Sequence, residues 1–225
     1  PGRFSLGLGS GENLNEHVFG DPWPAAPIRI EMLEEAIEVI RLLWKGGMQD
    51  HYGSFYTLEN AQIFSLPDEL PPIYIASEGP ISASLAARAG DGFINPGSDA
   101  EKNLIIFRDS GGGDKPAYID ISVCWAETEE EGRTTAYEQW PIAANEGELN
   151  RLLPTPTHYE QVAKMVTPEN VAEHVVCGPD PEPFIRKIEE SVRKGFDHVC
   201  IHQIGGQQRE FMEFYTKEVL PHFGE

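Results

Sequence analysis

Apolar residues fall into two alternating rhythms along this chain. Short unbroken runs, Arg3–Gly9, Pro72–Ala76, Asp91–Asn95, Ala117–Trp125 and His198–His202, suit buried parallel strands. Between them the spacing turns helical. Ile30, Leu33, Ile37, Ile40 and Trp44 predict one helix, stopped by Gly46-Gly47. Others are predicted from Pro80 to Ala89, with Gly90 as the stop, and over Lys102–Arg108. His51–Phe64 alternates around Gly53 and reads as a hairpin excursion. Glu127 to Val176 reads as helices, with a capping box of Thr157 and Glu160 and a second start at Thr167-Pro168. Asp180-Pro181 opens a further helix that Gly195 closes, and Phe211, Phe214, Tyr215 and Val219 stripe the last one. Strand and helix repeated five times predict a parallel sheet with covering helices in one domain, residues 1–225. The repeat does not choose between an open sheet and a closed barrel.

The chain has 225 residues with 37 acidic against 17 basic side chains, a formal charge of −20. A field of that sign repels nucleic acid and anionic lipid, so both are disfavoured as partners; the acidity reads as solubility, with docking to a basic partner as the alternative. No apolar run is long enough to span a bilayer, and no signal-peptide pattern opens the chain. Cys124, Cys177 and Cys200 are odd in number, widely spaced and set among apolar residues, so they read as buried thiols of a reducing, cytoplasmic compartment. The seven histidines show no metal-ligand spacing, and no metal is expected.

Candidate chemistry sits where strands end. Gly7-Leu8-Gly9-Ser10-Gly11-Glu12 lacks the third glycine of a dinucleotide fingerprint, but its glycines let a flat ring approach the backbone. Glu12 is then either a catalytic carboxylate at a strand mouth or a solvated loop glutamate. Ser77-Glu78-Gly79-Pro80 is either an anion seat at a helix start or a plain strand–helix turn. Asn95-Pro96-Gly97 and Gly205-Gly206 are loops first and ligand contacts second. His202 and Gln203 are polar groups at a strand end, with a satisfied structural histidine as the simpler reading.

Together these segments resemble a known family. Gly2 through Glu16 (GRFSLGLGSGENLNE) is similar to the fourth-strand motif of the glucose-6-phosphate dehydrogenases that use coenzyme F420, within the luciferase-like superfamily. Tyr52-Gly53 through Ala76, Ala87-Arg88-Ala89-Gly90-Asp91-Gly92-Phe93-Ile94, Gly178-Pro179-Asp180-Pro181-Glu182 and Gly195-Phe196-Asp197-His198-Val199 match later family segments in order. The resemblance implies a (β/α)₈ TIM barrel of the bacterial luciferase-like type. The first three βα units, with the family's catalytic histidine and its neighbouring tryptophan, would then precede Pro1.

It implies Glu12 as the catalytic residue, hydrogen-bonding near the deazaflavin N1 and supplying a proton as hydride reaches C5 of the ring. Ser10 and Gly11 would line the ring, Asn15 would support Glu12, and Ser77, Glu78, Gly79 and Asn95 would contact the cofactor. Family members are often homodimers. Relatives that oxidise glucose 6-phosphate grip its phosphate with two lysines and an arginine. The matching places here are the loop after Asn95, with no lysine before Lys102, then Glu148, then Glu173-His174. The expected activity is therefore hydride transfer between an uncharged alcohol-type substrate and F420. An FMN-dependent monooxygenase of the same superfamily and a non-catalytic cofactor-binding remnant are the alternatives.

Overall fold

The computed structural model describes residues 2–97, 99–145 and 147–224. In chain order the elements are β1 (Leu6–Leu8), α1 (Asn13–Glu16), α2 (Ala26–Leu43), β2 (Gln49–Tyr52), β3 (Thr57–Ala61), β4 (Ile73–Ala76), α3 (Pro80–Ala89), β5 (Gly92–Asn95) and α4 (Ala100–Phe107). There follow β6 (Ala117–Cys124), α5 (Glu129–Gln139), α6 (Leu149–Leu152), α7 (Pro156–Ala163), α8 (Pro168–Ala172), β7 (Val176–Cys177), α9 (Pro181–Lys194), β8 (His198–Gln203) and α10 (Gln208–Phe214). The chain forms two compact units, one of residues 1–11 and 24–118, the other of residues 12–23 and 119–225.

In the first unit β1, β4 and β5 are parallel neighbours, with Leu8 opposite Ile75 and Ala76 opposite Ile94. Ile73, Ile75 and Phe93 are fully buried, and Phe93 stacks on Phe107 of α4 at 4.9 Å. Helix α2 contributes Leu33 and Ile37 to this core, and α3 contributes Leu85 and Ala86. Gly92 is fixed by crowding: a Cβ there would lie 2.6 Å from the Tyr74 ring and 2.9 Å from the Pro116 carbonyl. The hairpin is β2 paired antiparallel to β3, His51 opposite Leu58 and Tyr52 opposite Thr57. Its tip is held from outside. The Glu35 carboxylate on α2 accepts the backbone N–H groups of Ser54, Phe55 and Tyr56 and lies 3.1 Å from His51 Nε2. Burial alone would raise the pKa of Glu35, but these bonds together outweigh it and hold the carboxyl below its ordinary value.

In the second unit β7 runs parallel to β6, Val123 opposite Val176, and β8 also pairs with β6. Cys124, Ala136, Val171, Val175 and Ile204 form one buried cluster. Phe184 of α9 meets Phe214 and Tyr215 edge-on, under the predicted terminal stripe. That helix ends in a π-helical turn, Tyr215–Val219. Asp180 caps α9 by accepting the Glu182 N–H, and Gly195 ends it at φ 97, where only glycine is unstrained.

Three local expectations need correction. The cap of α7 is Thr155, not Thr157, because Pro156 takes the first helical position and its ring needs an extended residue before it. The stretch read as helices through Val176 gives way at that last residue to a two-residue strand, Val176–Cys177. The thiols are not uniformly buried: Cys124 is buried, Cys177 partly so, and Cys200 is exposed.

Candidate active site

The C-terminal ends of β1, β4 and β5 lie side by side in the first unit, because parallel pairing in register brings their last residues to one edge. Ser10, Ser77 and Asn95 are carried there. Ser77 and Asn95 are almost wholly buried, at 1% and 0% exposure, and bond to each other. Asn95 Nδ2 donates to the Ser77 carbonyl at 2.9 Å, while its Oδ1 accepts the Gly97 N–H at 2.8 Å. The Ser77 N–H donates to the Ile94 carbonyl at 2.8 Å, and Ser77 Oγ lies 2.9 Å from Ser82 Oγ. These groups stiffen the strand ends, which sequence reasoning did not anticipate when it gave them only a contact role.

The glycines keep the same edge bare. A Cβ on Gly9 would meet only Ala76 Cβ, at 3.6 Å, and one on Gly79 would meet nothing within 4 Å. Gly11 turns at φ 78, and Ser10 and Glu78 are half-buried. Helix α3 starts at Pro80 as the sequence predicts. Ser82 Oγ accepts the Gly79 N–H at 3.3 Å, so one amide of the expected anion seat is occupied.

Glu12 and Asn15 belong to the second unit. Glu12 is extended at φ −134, exposed, and immediately precedes α1; its carbonyl accepts the N–H of Asn15 and of Glu16. Asn15 meets Glu12 here through the main chain of the helix start, not through its side chain. Asn13 Nδ2 donates to the Leu152 carbonyl at 2.9 Å, tying α1 to α6. Tyr159 of α7 donates its hydroxyl to the Asn150 carbonyl. Burial raises the Tyr159 pKa and the negative charge of Glu12 raises it further, so this phenol stays neutral beside the carboxylate. Asn13 and Tyr159 escaped the sequence reading, since a lone tyrosine on a short helix carries no spacing signal.

A second polar group in this unit was half legible. Asp120 and Ser122 alternate along β6, and Ser122 Oγ lies 3.4 Å from Nδ1 of His202 on β8. Burial raises the Asp120 pKa, partly offset by His202. Trp140 meets the imidazole edge-on at 5.0 Å. Among the described residues no three His, Cys, Asp or Glu side chains are grouped to hold a metal. Among the described residues no helix is long and apolar enough to cross a membrane.

Comparison with known proteins places this geometry in a lineage. The profile of the luciferase-like monooxygenase family matches residues 1–198. The F420-dependent glucose-6-phosphate dehydrogenase of Microbacterium testaceum is 32% identical over 235 residues, covering 98% of this chain and 69% of the relative. The enzyme of that description from Mycobacterium avium is also 32% identical, with the same coverage. Among solved structures, an F420-dependent secondary alcohol dehydrogenase holding an F420–acetone adduct superposes with a TM-score of 0.88 at 25% identity, over all of this chain and 71% of that one. The F420-dependent tetrahydromethanopterin reductase of Methanopyrus kandleri follows at 0.75 and 20%, over 99% and 75%, a likeness of fold. This bears out the expected α/β luciferase-like barrel fold. The chain belongs to the luciferase-like family, and its relatives in sequence include F420-dependent glucose-6-phosphate dehydrogenases.

Proposed function

We propose that this protein transfers a hydride between an uncharged alcohol-type substrate and coenzyme F420, with Glu12 as the proton-handling group. The observation that carries the reading is the placement of Glu12: a solvent-reachable carboxylate on a locked backbone, directly after a glycine-rich strand end. The residues present fit a flat ring, because Gly9, Gly11 and Gly79 bring backbone rather than side chains to the edge. Ser10, Gly11, Glu78 and Gly79 would hold the coenzyme, and Ser77 and Asn95 would keep that edge rigid. When bound, the deazaflavin accepts or returns the hydride. The protein's part is orientation and the proton. Glu12 delivers or receives it, and the neutral Tyr159 beside it does not compete for it at physiological pH.

The choice of a neutral substrate rests on charge. Glu148 and Glu173 are exposed acids, and the family resemblance matches them to places where glucose 6-phosphate oxidising relatives would keep cations. A phosphate there would lose charge-assisted hydrogen bonds of roughly 1.5–3 kcal/mol each, so two or three forfeit at least about a hundredfold in affinity. The relatives in sequence are named for glucose 6-phosphate, whereas the structural neighbour at TM-score 0.88 is named for a secondary alcohol. The test compares kcat/KM for isopropanol and for glucose 6-phosphate at low and high salt, following loss of the oxidised coenzyme's visible absorbance. Preference for the alcohol, with a salt-dependent penalty on the phosphate, is expected. Efficient glucose 6-phosphate oxidation at low salt would overturn the substrate reading.

A further inference from the structure

Glu12 occupies the cap position of α1 without capping it. Its side chain accepts none of the helix's first amides, as serine, threonine, aspartate or asparagine would in that place. The carboxylate stays free, and α1 gains nothing from it. The helix is four residues long and buries none of them. An isolated helix in water needs about 12–15 residues to be even marginally stable, so this turn does not hold itself.

The holding group is Asn13. Its Nδ2 donates to the Leu152 carbonyl at 2.9 Å. Leu152 is the last residue of α6, where a helix leaves its carbonyls without partners of its own. The Asn13 carbonyl lies 2.9 Å from His17 Nδ1, and since a carbonyl can only accept, the ring donates to it. Among the described residues, the Asn13 bond to Leu152 is the one side-chain hydrogen bond that ties Glu12–His17 to another element.

The receiving end is braced. Asn150 of α6 donates Nδ2 to the Ile142 carbonyl at 3.1 Å, and its Oδ1 accepts Asn145 Nδ2 at 2.6 Å. Its carbonyl takes the hydroxyl of Tyr159 on α7. All of these groups lie in the second unit. The charge of Glu12 is felt at Tyr159, which sets the carboxylate near the same brace.

We propose that Asn13 is a positioning residue for Glu12, with α6, braced through Asn150 and Tyr159, as the fixed body it is tied to. The proposal rests on the reading of Glu12 as the proton-handling group. Proton transfer needs its partners within about 2.6–3.2 Å, and a carboxylate on an untied single turn would sample many directions. The Asn13 bond removes that freedom at the residue next to Glu12 and consumes neither carboxylate oxygen. Glu12 is thereby held by its backbone and left free to react.

The experiment uses the full chain and two readouts. The first needs no coenzyme: nitrogen-15 order parameters of the amides of residues 12–16. They should fall from about 0.85 to below about 0.6 in Asn13→Ala, and Asn13→Gln, which keeps the amide donor, should restore them. The second is a double-mutant cycle on a chemistry-limited kcat. Asn13→Ala should lower kcat about two- to tenfold, the share of one hydrogen bond, with the KM for F420 changed less than about twofold. With Glu12→Gln already present, the same change should cost less than about twofold, because the group it aims no longer carries the proton. Order parameters unchanged in Asn13→Ala overturn the tether. An equal loss of kcat in both backgrounds means a merely structural asparagine and overturns the positioning role. A Glu12→Gln variant as fast as the unaltered chain sinks the reading of Glu12 and the positioning role with it, while the order parameters judge the tether separately.

Discussion

Replacing Asn95 with alanine separates a framework role from a ligand role at the strand ends. The side chain is wholly buried, and its two amide atoms serve the Ser77 carbonyl at 2.9 Å and the Gly97 N–H at 2.8 Å. Alanine removes both bonds. Each contributes roughly 0.5–1.5 kcal/mol net, and a carbonyl stranded out of water adds about 1–3 kcal/mol. The expected destabilisation of the first unit is therefore about 2–4 kcal/mol. Native-state hydrogen exchange measures it: the Gly97 amide should lose its protection outright, and the amides of β4 and β5 should exchange faster by the corresponding factor. Asn95→Asp keeps the acceptor for Gly97 but sets a carboxylate oxygen against the Ser77 carbonyl, so it should be no more stable than the alanine variant. A loss below about 1 kcal/mol, together with a large drop in F420 affinity, would refute the framework reading and return Asn95 to the coenzyme.

The remaining expectations are more direct. Glu12→Gln should keep F420 binding while lowering a chemistry-limited kcat about 10²–10⁴-fold, and an unchanged kcat would make Glu12 a surface residue only. Burial pushes the Cys124 thiol up to about 11 and the Cys177 thiol to about 12, so both stay protonated at neutral pH, whereas Cys200 is exposed. A thiol reagent should therefore modify Cys200 first and the other two only on unfolding; mass spectrometry showing Cys177 labelled first would contradict this. Gly92→Ala should destabilise the first unit by about 1–3 kcal/mol in urea unfolding, since the new methyl meets the Tyr74 ring at 2.6–2.7 Å and a backbone carbonyl at 2.9 Å. A neutral result there would mean that Tyr74 can swing away from Tyr118, its ring neighbour at 5.1 Å.

The long elements were legible in the sequence because their signals are local. Pro80 and Gly90 bracket α3, and Asp180-Pro181 and Gly195 bracket α9, as capping chemistry requires. What escaped reading depends on partners far away in the chain. Val176–Cys177 is a strand only because it finds Val123–Cys124, some fifty residues earlier. Cys200 looked like core by its neighbours, yet its position on β8 is exposed. At the candidate site, glycine spacing announced a bare edge, but the mutual bonding of Ser77 and Asn95 could not be read from two residues eighteen positions apart.

The grip of Glu35 on the hairpin tip separates that turn's shape from its side chains. The carboxylate takes main-chain N–H groups alone from Ser54, Phe55 and Tyr56, so at the exposed Ser54 and Phe55 any residue except proline can serve without giving up that bond. Gly53 has no such latitude, because a Cβ there would overlap the Glu35 carboxylate itself. Sequence drift should thus run freely through Ser54 and Phe55 and stop at the glycine. The outward side chains of that tip can diversify while a single helix residue keeps its contour constant.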